Sequence, residues 1–436
     1  MKNAKRALAL LSAGALAVGM LAGCGGGTSS SAAAGGDSAT GESSAAGSSE
    51  GGEIRVVTFF AGSDQWAPVW KEVVADYMAA NPGVTIIDES QPTAGANDLF
   101  RTKVQADVAA GTPADLVLFY NGADMTTLSD SGLFVDLNTY LEADPEWASH
   151  IKPDALAAGQ QDGVQYCIPY IGFYEGLFYN KGLFDKFGLP EPTTWENIIN
   201  SVETFKENGI AAFAAPLPKA SYITEAFILS QVGAEGQQNY FDESWAPALY
   251  RIKDLYDAGA FPADAMTMSE DDVRVLFQDE KAAMMINGSW CVSALKDNEN
   301  MRIISMPTLP DGVGGSNVAL SGYGSGWYMS KEAAERDDLT LNFLKYLTSP
   351  EVMTRFIAMG GSPAIDCETP EGVTPLEKSA LEMLETAEST RPAIDSQVTR
   401  EAWAVLTEPG IQYIVEGERT PEDLLAEAKS INDSAI

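Results

Sequence analysis

Two alternating patterns of hydrophobic and polar positions run along the chain from residue 53 onward. Residues 54–60 form a nearly continuous apolar run, which predicts a strand covered on both faces. Apolar positions then recur at helical spacing over 66–77 and predict an amphipathic helix. The alternation continues with a strand at 84–87, a helix at 99–108 and a strand at 115–119. Strands and helices that alternate through short turns predict an α/β fold with a parallel sheet and crossover helices.

The clearest local pattern is the stretch YNKGLFDKFGLPEPTTWENIINSVETFKENG at 179–209. Asn180 is placed to cap a short helix, and Gly188 is placed to end it. The prolines at 190 and 192 then hold the chain extended. Thr193 and Glu196 fit a capping box, and the apolar stripe that follows predicts a longer helix packed on a sheet.

The first 52 residues have the composition of a targeting segment and a linker. Three basic residues precede an apolar run at 7–21, which is too short to span a bilayer comfortably and predicts a signal peptide at 1–23. The run ends in Leu-Ala-Gly-Cys24, which resembles the bacterial lipobox, so Cys24 is the expected lipidation site. A plain secretory signal with an incidental cysteine is the alternative. Residues 24–52 are almost entirely Gly, Ser and Ala and predict a flexible tether with a reach of roughly 30 Å.

The charge balance excludes some partners. The chain of 436 residues carries 27 basic and 62 acidic side chains, which gives a formal net charge of −35. This balance argues against nucleic acid, whose binding depends on Lys and Arg at phosphates, and against adsorption to anionic lipid through basic patches. The length is sufficient for two or three domains.

Catalytic and metal-binding motifs are missing from the sequence. It contains one histidine, His150, and no HExxH, GxSxG or P-loop pattern. If Cys24 carries lipid, Cys167, Cys291 and Cys367 remain, and both one disulfide with a free thiol and three thiols stay open. We therefore predict no metal, no cofactor and no enzyme activity. A glycoside hydrolase stays the competing class, because two suitably spaced carboxylates suffice for that chemistry.

Three stretches resemble the bacterial extracellular solute-binding protein family 1, the sugar-type, maltose-binding-like group. The first is the segment 179–209 described above. The second is EDDVRVLFQDEKAAMMINGSW at 270–290, and the third is SGYGSGWYMSKEAAERDDLTLNFLKYLTSPEVMTRF at 321–356. Together with weaker matches they cover 54–419, almost the whole chain after the tether.

The resemblance implies an α/β, two-lobed periplasmic-binding-protein-like fold with discontinuous lobes and a multi-crossing hinge. The expected N-terminal lobe comprises 53–166 plus 311–361, and the C-terminal lobe 167–310 plus 362–436. Hinge crossings are expected near 164–169, 307–312 and 360–365.

The resemblance also implies a function. The chain is expected to be a monomeric, lipid-anchored substrate-binding protein of an ABC importer, on the outer face of the bacterial cell membrane. Its partners would be permease subunits, a separate ATPase and a carbohydrate, expected to be an oligosaccharide. A polyamine or another small solute, a sensor role and a surface-anchored glycan-active enzyme are the alternatives. The ligand-binding residues carried over by motif are Asp64, Trp66, Tyr120, Tyr174, Glu175, Tyr222, Trp290, Tyr323, Gly324 and Trp403.

Overall fold

A computed structural model describes residues 51–62, 64–92, 98–314, 318–336, 338–368 and 372–435. The predicted signal peptide, Cys24 and nearly all of the tether lie outside these residues. The strands are β1 Gly52–Val57, β2 Val84–Asp88, β3 Leu116–Tyr120, β4 Gln160–Gln161, β5 Val164–Gln165, β6 Ile168–Pro169, β7 Ile171–Asn180, β8 Ala211–Ala214, β9 Ala282–Gly288, β10 Met301–Ile304, β11 Val318–Gly322, β12 Ser325–Met329, β13 Ser362–Pro363 and β14 Ser389–Arg391.

Helices cover both large sheets. They are α1 Ala67–Ala80, α2 Asp98–Ala109, α3 Met125–Ser129, α4 Asn138–Ala143, α5 Pro145–Ser149, α6 Pro153–Ala158, α7 Lys181–Phe187, α8 Trp195–Glu207, α9 Ser221–Gly236, α10 Ala246–Ala258, α11 Glu270–Gln278, α12 Val292–Leu295, α13 Lys331–Arg336, α14 Leu339–Leu347, α15 Pro350–Ile357, α16 Pro375–Thr386, α17 Arg400–Thr407, α18 Gly410–Glu416 and α19 Pro421–Ala435. Short 3₁₀ turns occur at Gly122–Asp124, Leu217–Lys219, Glu243–Trp245, Ser289–Cys291 and Ile394–Ser396. Among the described residues, no helix combines the length and the apolar character needed to cross a membrane.

The first sheet has the order β2-β1-β3-β12-β6. Strands β1, β2 and β3 are parallel, and α1 and α2 connect them, as the alternation at the start of the chain predicts. Strand β1 ends at Val57, three residues before the predicted end. Thr58 turns the chain there, because its hydroxyl accepts the N–H of Phe60 at 2.9 Å while its own N–H donates to Ser90 Oγ at 3.1 Å.

The second sheet has the order β14-β11-β7-β9-β8, with β10 and β13 also paired to β7. Strand β7 is its centre, and nine of the ten residues of β7 are buried. Strand β8 runs parallel to β9, while β9, β10 and β11 run antiparallel to β7. The sheet is therefore mixed. Because both faces of β7 are buried, its sequence shows no alternation of polar and apolar residues.

Each sheet has its own hydrophobic core, which divides the described chain into two lobes. The first lobe packs Trp70 and Phe343 against the first sheet. The second lobe packs Phe205, Phe227 and Trp245 around the second sheet. The predicted two-lobed α/β fold is thus confirmed.

The chain passes between the sheets at short connections. One residue separates β6 of the first sheet from β7 of the second, and two residues separate β11 from β12. Strand β13 follows α15 and again pairs with β7. The lobe ranges 53–166 plus 311–361 and 167–310 plus 362–436 stay a prediction. At their borders the sheets divide differently, because β6 belongs to the first sheet and β11 to the second.

The segment after β7 folds nearly as its sequence predicts. Asn180 Oδ1 accepts the N–H of Leu183 at 3.1 Å, and Gly188 ends α7 with φ of 66°. The capping-box prediction at Thr193 and Glu196 is wrong. The cap of α8 is Thr194, whose hydroxyl accepts the N–H of Asn197 at 3.1 Å. Thr193 belongs to the preceding turn, since its N–H donates to the carbonyl of Glu191 at 2.8 Å.

Candidate ligand-binding site

The candidate site lies where the ends of β3 and β9 and the first half of β7 meet the turn between β11 and β12. Asn121 fixes that turn to the first lobe: its backbone N–H donates to the carbonyl of Gly324 at 2.9 Å and its side-chain nitrogen to the carbonyl of Tyr323 at 3.0 Å. The oxygen of the same amide accepts the hydroxyl of Tyr328 at 3.1 Å. Tyr323 and Gly324, both carried over by motif, are therefore held in place by Asn121, which the sequence prediction did not include.

On the first-lobe side, Tyr120 ends β3 and is only partly exposed. Its ring stacks on Phe59, with centroids 5.7 Å apart, and the guanidinium of Arg101 lies 4.3 Å from the ring centroid. Arg101 also forms an ion pair with Asp124. Burial raises the pKa of the Tyr120 hydroxyl to about 12, so this hydroxyl is protonated and can donate at neutral pH.

Asp64 and Trp66 occupy the loop between β1 and α1 and have different environments. Asp64 is partly exposed and accepts the N–H of Trp66 at 2.8 Å; burial raises its pKa to about 6. Trp66 is only 7% exposed, and its indole N–H donates to the carbonyl of Phe356 at 3.1 Å. Trp66 therefore joins this loop to α15 through the core, whereas Asp64 remains accessible.

On the second-lobe side, Trp290 and Tyr222 form an aromatic pair. Their ring centroids are 5.2 Å apart, and both side chains are partly exposed. The ring centroid of Phe173 lies 6.5 Å from that of Trp290. The Trp290 ring lies over Gly288, where a Cβ atom would come within 2.5 Å of ring atom Cζ2. Gly288 is opposite Glu175 in the β7–β9 register, so the aromatic pair and this carboxyl group belong to one surface.

Glu175 and Glu225 form a buried carboxyl pair beside the aromatic residues. Their exposed fractions are 4% and 2%, and the two carboxyl groups lie within hydrogen-bonding reach of each other. Glu225 Oε2 accepts the backbone N–H of Ile394 at 2.9 Å. Burial, and for Glu175 also the neighbouring Glu225 charge, raise the pKa of both groups far above the usual range. Two carboxyl groups in contact and buried away from solvent cannot both ionise, so the pair retains a proton.

Asp395 extends this acidic region toward the first lobe. Its side chain is accessible to solvent, yet surrounding protein raises its pKa, a combination that fits a group lining a cleft. Asp395 and Glu225 were both absent from the sequence prediction. For Glu225 a signal exists, because it follows Tyr222 by three residues on α9 and therefore shares its helical face.

The two remaining predicted residues, Tyr174 and Trp403, are buried beneath the candidate ligand-binding surface. Tyr174 is 4% exposed and belongs to the core below β7. Trp403 is 5% exposed, packs in the second-lobe core and donates its indole N–H to Ser221 Oγ at 2.6 Å. Trp403 thus fixes the start of the helix that carries Tyr222 and Glu225.

The lobes also contact each other around the site. Of the two orientations of the Gln65 side-chain amide, the one that satisfies its neighbours lets its nitrogen, in the first lobe, donate to the carbonyl oxygen of Trp290 at 2.8 Å and to that of Met359 at 3.1 Å. Lys296 of the second lobe donates to the carbonyl of Ala358 at the end of α15 at 2.9 Å. Motion of one lobe against the other would therefore change the surroundings of Trp290 directly.

Three cysteines of the described chain are free thiols: Cys167 and Cys291 are buried and Cys367 is partly exposed. In the same residues, no group of three or more His, Cys, Asp or Glu side chains is arranged to hold a metal ion.

Comparison with known proteins gives the family. Residues 63–354 match the model of the bacterial extracellular solute-binding proteins. The multiple sugar-binding protein of Streptococcus mutans is 24% identical over 335 residues, which cover 72% of this chain and 76% of that protein. A putative binding protein of Brucella abortus is 25% identical over 284 residues, 62% of this chain and 66% of its own length, just under two thirds. The maltotriose-binding protein of Pyrococcus abyssi is 22% identical over 254 residues, 57% and 52% of the two chains.

Solved structures agree on the fold. A chitin oligosaccharide binding protein superimposes with a TM-score of 0.76 at 23% identity over 88% of this chain and 99% of that chain. A protein studied for xylan utilization by Caldanaerobius polysaccharolyticus gives 0.76 at 22% identity over 87% and 99%. The matched family consists of binding proteins, not enzymes, that act outside the cytoplasm. This chain belongs to the bacterial extracellular solute-binding protein family.

Proposed function

We propose that the protein is the substrate-binding lipoprotein of an ABC importer and captures a carbohydrate, an oligosaccharide, in the cleft between its two lobes. The observation that carries the proposal is the partly exposed Trp290–Tyr222 pair beside the buried Glu175. The names of several relatives support it, since they are sugar-binding proteins.

The chemistry of the surface suits a sugar ring. A pyranose has an apolar C–H face that packs on an aromatic plane, and a rim of hydroxyl groups that donate to carboxylates. Trp290 and Tyr222 offer the first kind of contact, and Glu175 and Asp64 offer the second. Tyr120, Tyr323 and Gly324 complete the proposed wall, while Trp66, Tyr174 and Trp403 support it from the core.

The ligand would close the lobes, and the closed form would be delivered to membrane permease subunits that work with a separate ATPase. A ligand shifts such an equilibrium only by its differential affinity for the closed state. The two lobes, each built on one of the large sheets, would be the moving parts. Small-angle scattering with saturating ligand should show a smaller radius of gyration than without ligand, and an unchanged radius would count against closure.

Ligand class is tested by calorimetry on the mature protein with neutral oligosaccharides, amino sugars and polyamines. Trp290→Ala should weaken a sugar by about 1–3 kcal/mol, the value of one aromatic contact. Tyr250→Ala serves as the matched control, because Tyr250 is an exposed aromatic residue on α10 that bonds Glu422 outside the site. If no carbohydrate binds, or a polyamine binds more tightly than every sugar, the carbohydrate proposal fails.

The lipid anchor is a separate part of the proposal and rests on Leu-Ala-Gly-Cys24 after a short apolar run. Cys24→Ala should release the protein from the membrane fraction to the medium. Protein whose signal peptide has been removed but which stays in the membrane fraction after this substitution would disprove the anchor.

A further inference from the structure

The strongest unexplained group is the carboxyl of Glu175. Its side chain is almost fully buried, and apart from the proton shared with Glu225 no N–H or O–H group of the described residues donates to Glu175 Oε2. A buried acceptor without a donor is costly, on the order of 1–3 kcal/mol. Its nearest acidic neighbour, Glu225, is equally buried, so the one proton that the pair retains serves four buried carboxyl oxygens.

No cation of the described chain compensates this carboxyl pair. None of its ion pairs joins a lysine or arginine to Glu175 or Glu225. Three basic side chains of the surrounding region are engaged with other acids: Arg101 pairs with Asp124, Lys219 with Glu408 and Arg274 with Asp271.

Two further acids increase the negative potential at the pair. Asp395 in the turn after β14 and Glu270 at the start of α11 both act on Glu175. The charges that oppose them come from Arg101 and Arg400 beside Asp395, and from Lys219 and Arg274 beside Glu270. A cleft with low-dielectric walls focuses the electric field of the charges that line it. The negative potential at Glu175 and Glu225 therefore favours a cationic ligand.

We propose that the captured carbohydrate is an amino sugar, whose protonated amine donates to Glu175 and Glu225 while its ring packs on Trp290 and Tyr222. The inference rests on the carbohydrate-binding function and specifies its substrate class. An ammonium group has three N–H donors and no acceptor, so it can donate to both carboxyl groups, which have only one shared proton without it. Each such bond is charge-assisted, and an aromatic face beside the cation adds to the attraction.

Binding is expected to release a proton. Without ligand, the pair holds one proton between its two carboxyl groups. When the ammonium ion binds, its N–H groups donate to both carboxyl groups, the O–H bond of the pair breaks, and the proton passes to solvent. A neutral sugar would leave the proton on the pair, so proton release distinguishes the two ligand types.

The test compares three β-1,4-linked oligosaccharides of equal length that differ only at C2: chitosan with amine, chitin with N-acetyl and cellulose oligomers with hydroxyl. Calorimetry at a mildly acidic pH that keeps the chitosan amines protonated, in two buffers of different ionisation enthalpy, measures affinity and proton release together. We expect chitosan oligomers to bind roughly tenfold or more tightly than the other two, with a net proton released. Spermidine, an amine without a sugar ring, should bind more weakly than the chitosan oligomer.

Glu225→Gln and Glu175→Gln should each reduce the preference for chitosan and the proton release. Glutamine at 225 can still accept the N–H of Ile394, so the fold is retained. Glu382→Gln, which removes one exposed carboxylate from α16, is the control and should change neither quantity.

The inference is overturned if chitin or cellulose oligomers bind as tightly as chitosan, and the carbohydrate function then stands on those neutral sugars. It is also overturned if chitosan produces no binding heat, or if its preference survives both glutamine substitutions. Tighter binding of spermidine than of any sugar would overturn the inference and the carbohydrate function together.

Discussion

Gly288 offers a sharp test of whether Trp290 forms the ligand-binding wall. A Cβ atom at this position would lie within 2.5 Å of ring atom Cζ2 of Trp290. The backbone of Gly288 is extended, with φ of −115° and ψ of 178°, so alanine causes no backbone strain. The added methyl group of Gly288→Ala therefore acts through the Trp290 ring.

The size of the effect follows from the overlap. Carbon atoms in contact prefer about 3.5–4 Å, so the ring has to move by about 1 Å or more. A displaced ring loses its packing on the sugar, and we expect the affinity to fall by about 1–3 kcal/mol, roughly tenfold to a hundredfold. Steric crowding by the added methyl group should lower the free energy of unfolding by no more than about 3 kcal/mol.

Calorimetry with a sugar that binds the wild-type protein measures the loss. Gly322→Ala is the matched control, because a Cβ there would lie 3.6 Å from Phe173, an ordinary contact distance. The double variant Gly288→Ala/Trp290→Ala should bind like Trp290→Ala alone, since both changes remove the same contact. Wild-type affinity in Gly288→Ala, or fully additive losses in the double variant, would refute the reasoning.

Three further predictions concern stability and lobe contacts. Trp403→Ala should lower the free energy of unfolding, measured by chemical denaturation, by about 3–5 kcal/mol, because the ring is buried and Ser221 Oγ loses its N–H donor. A variant as stable as wild type would contradict the assignment of Trp403 to the core. Burial raises the pKa of Asp64 from 3.8 to about 6, so the folded protein loses stability as pH rises between these values. Asp64→Asn should therefore stabilise the protein by about 1–2 kcal/mol above pH 6 and by nothing below about pH 4, and a pH-independent effect would exclude this cause. Gln65→Ala removes the side-chain donor to the carbonyls of Trp290 and Met359, which should weaken the contact between the lobes. Small-angle scattering with saturating ligand should then show a larger radius of gyration than for wild type, and an equal radius would count against this contact.

The first part of the fold could be predicted because its signals are local. The predicted strands and helices at 54–119 correspond to β1, α1, β2, α2 and β3 within a few residues. Apolar spacing distinguishes helix from strand within one segment and needs no knowledge of distant residues. Where the prediction failed, at the cap of α8, two adjacent threonines could both serve, and the turn made by Thr193 decided between them.

The roles of the aromatic residues could not be predicted from the sequence. Trp66, Tyr174 and Trp403 are buried, whereas Trp290 and Tyr222 are partly exposed. Nothing in residue type separates these two groups, since tryptophan and tyrosine serve cores and binding surfaces equally well. In β7 even alternation gives no help, because helices and neighbouring strands cover both of its faces.

The carboxyl pair shows most clearly what only the fold can supply. Glu175 lies on β7, Glu225 on α9, and the N–H that Glu225 accepts belongs to Ile394, 169 residues further along the chain. Among 62 acidic residues, no sequence rule selects these two as neighbours. Their burial lowers the stability of the folded chain, because a pair that retains one proton still carries one negative charge without a cation beside it. A ligand that brings donors to the pair relieves this cost only when it binds, so the penalty in the free protein becomes affinity in the complex.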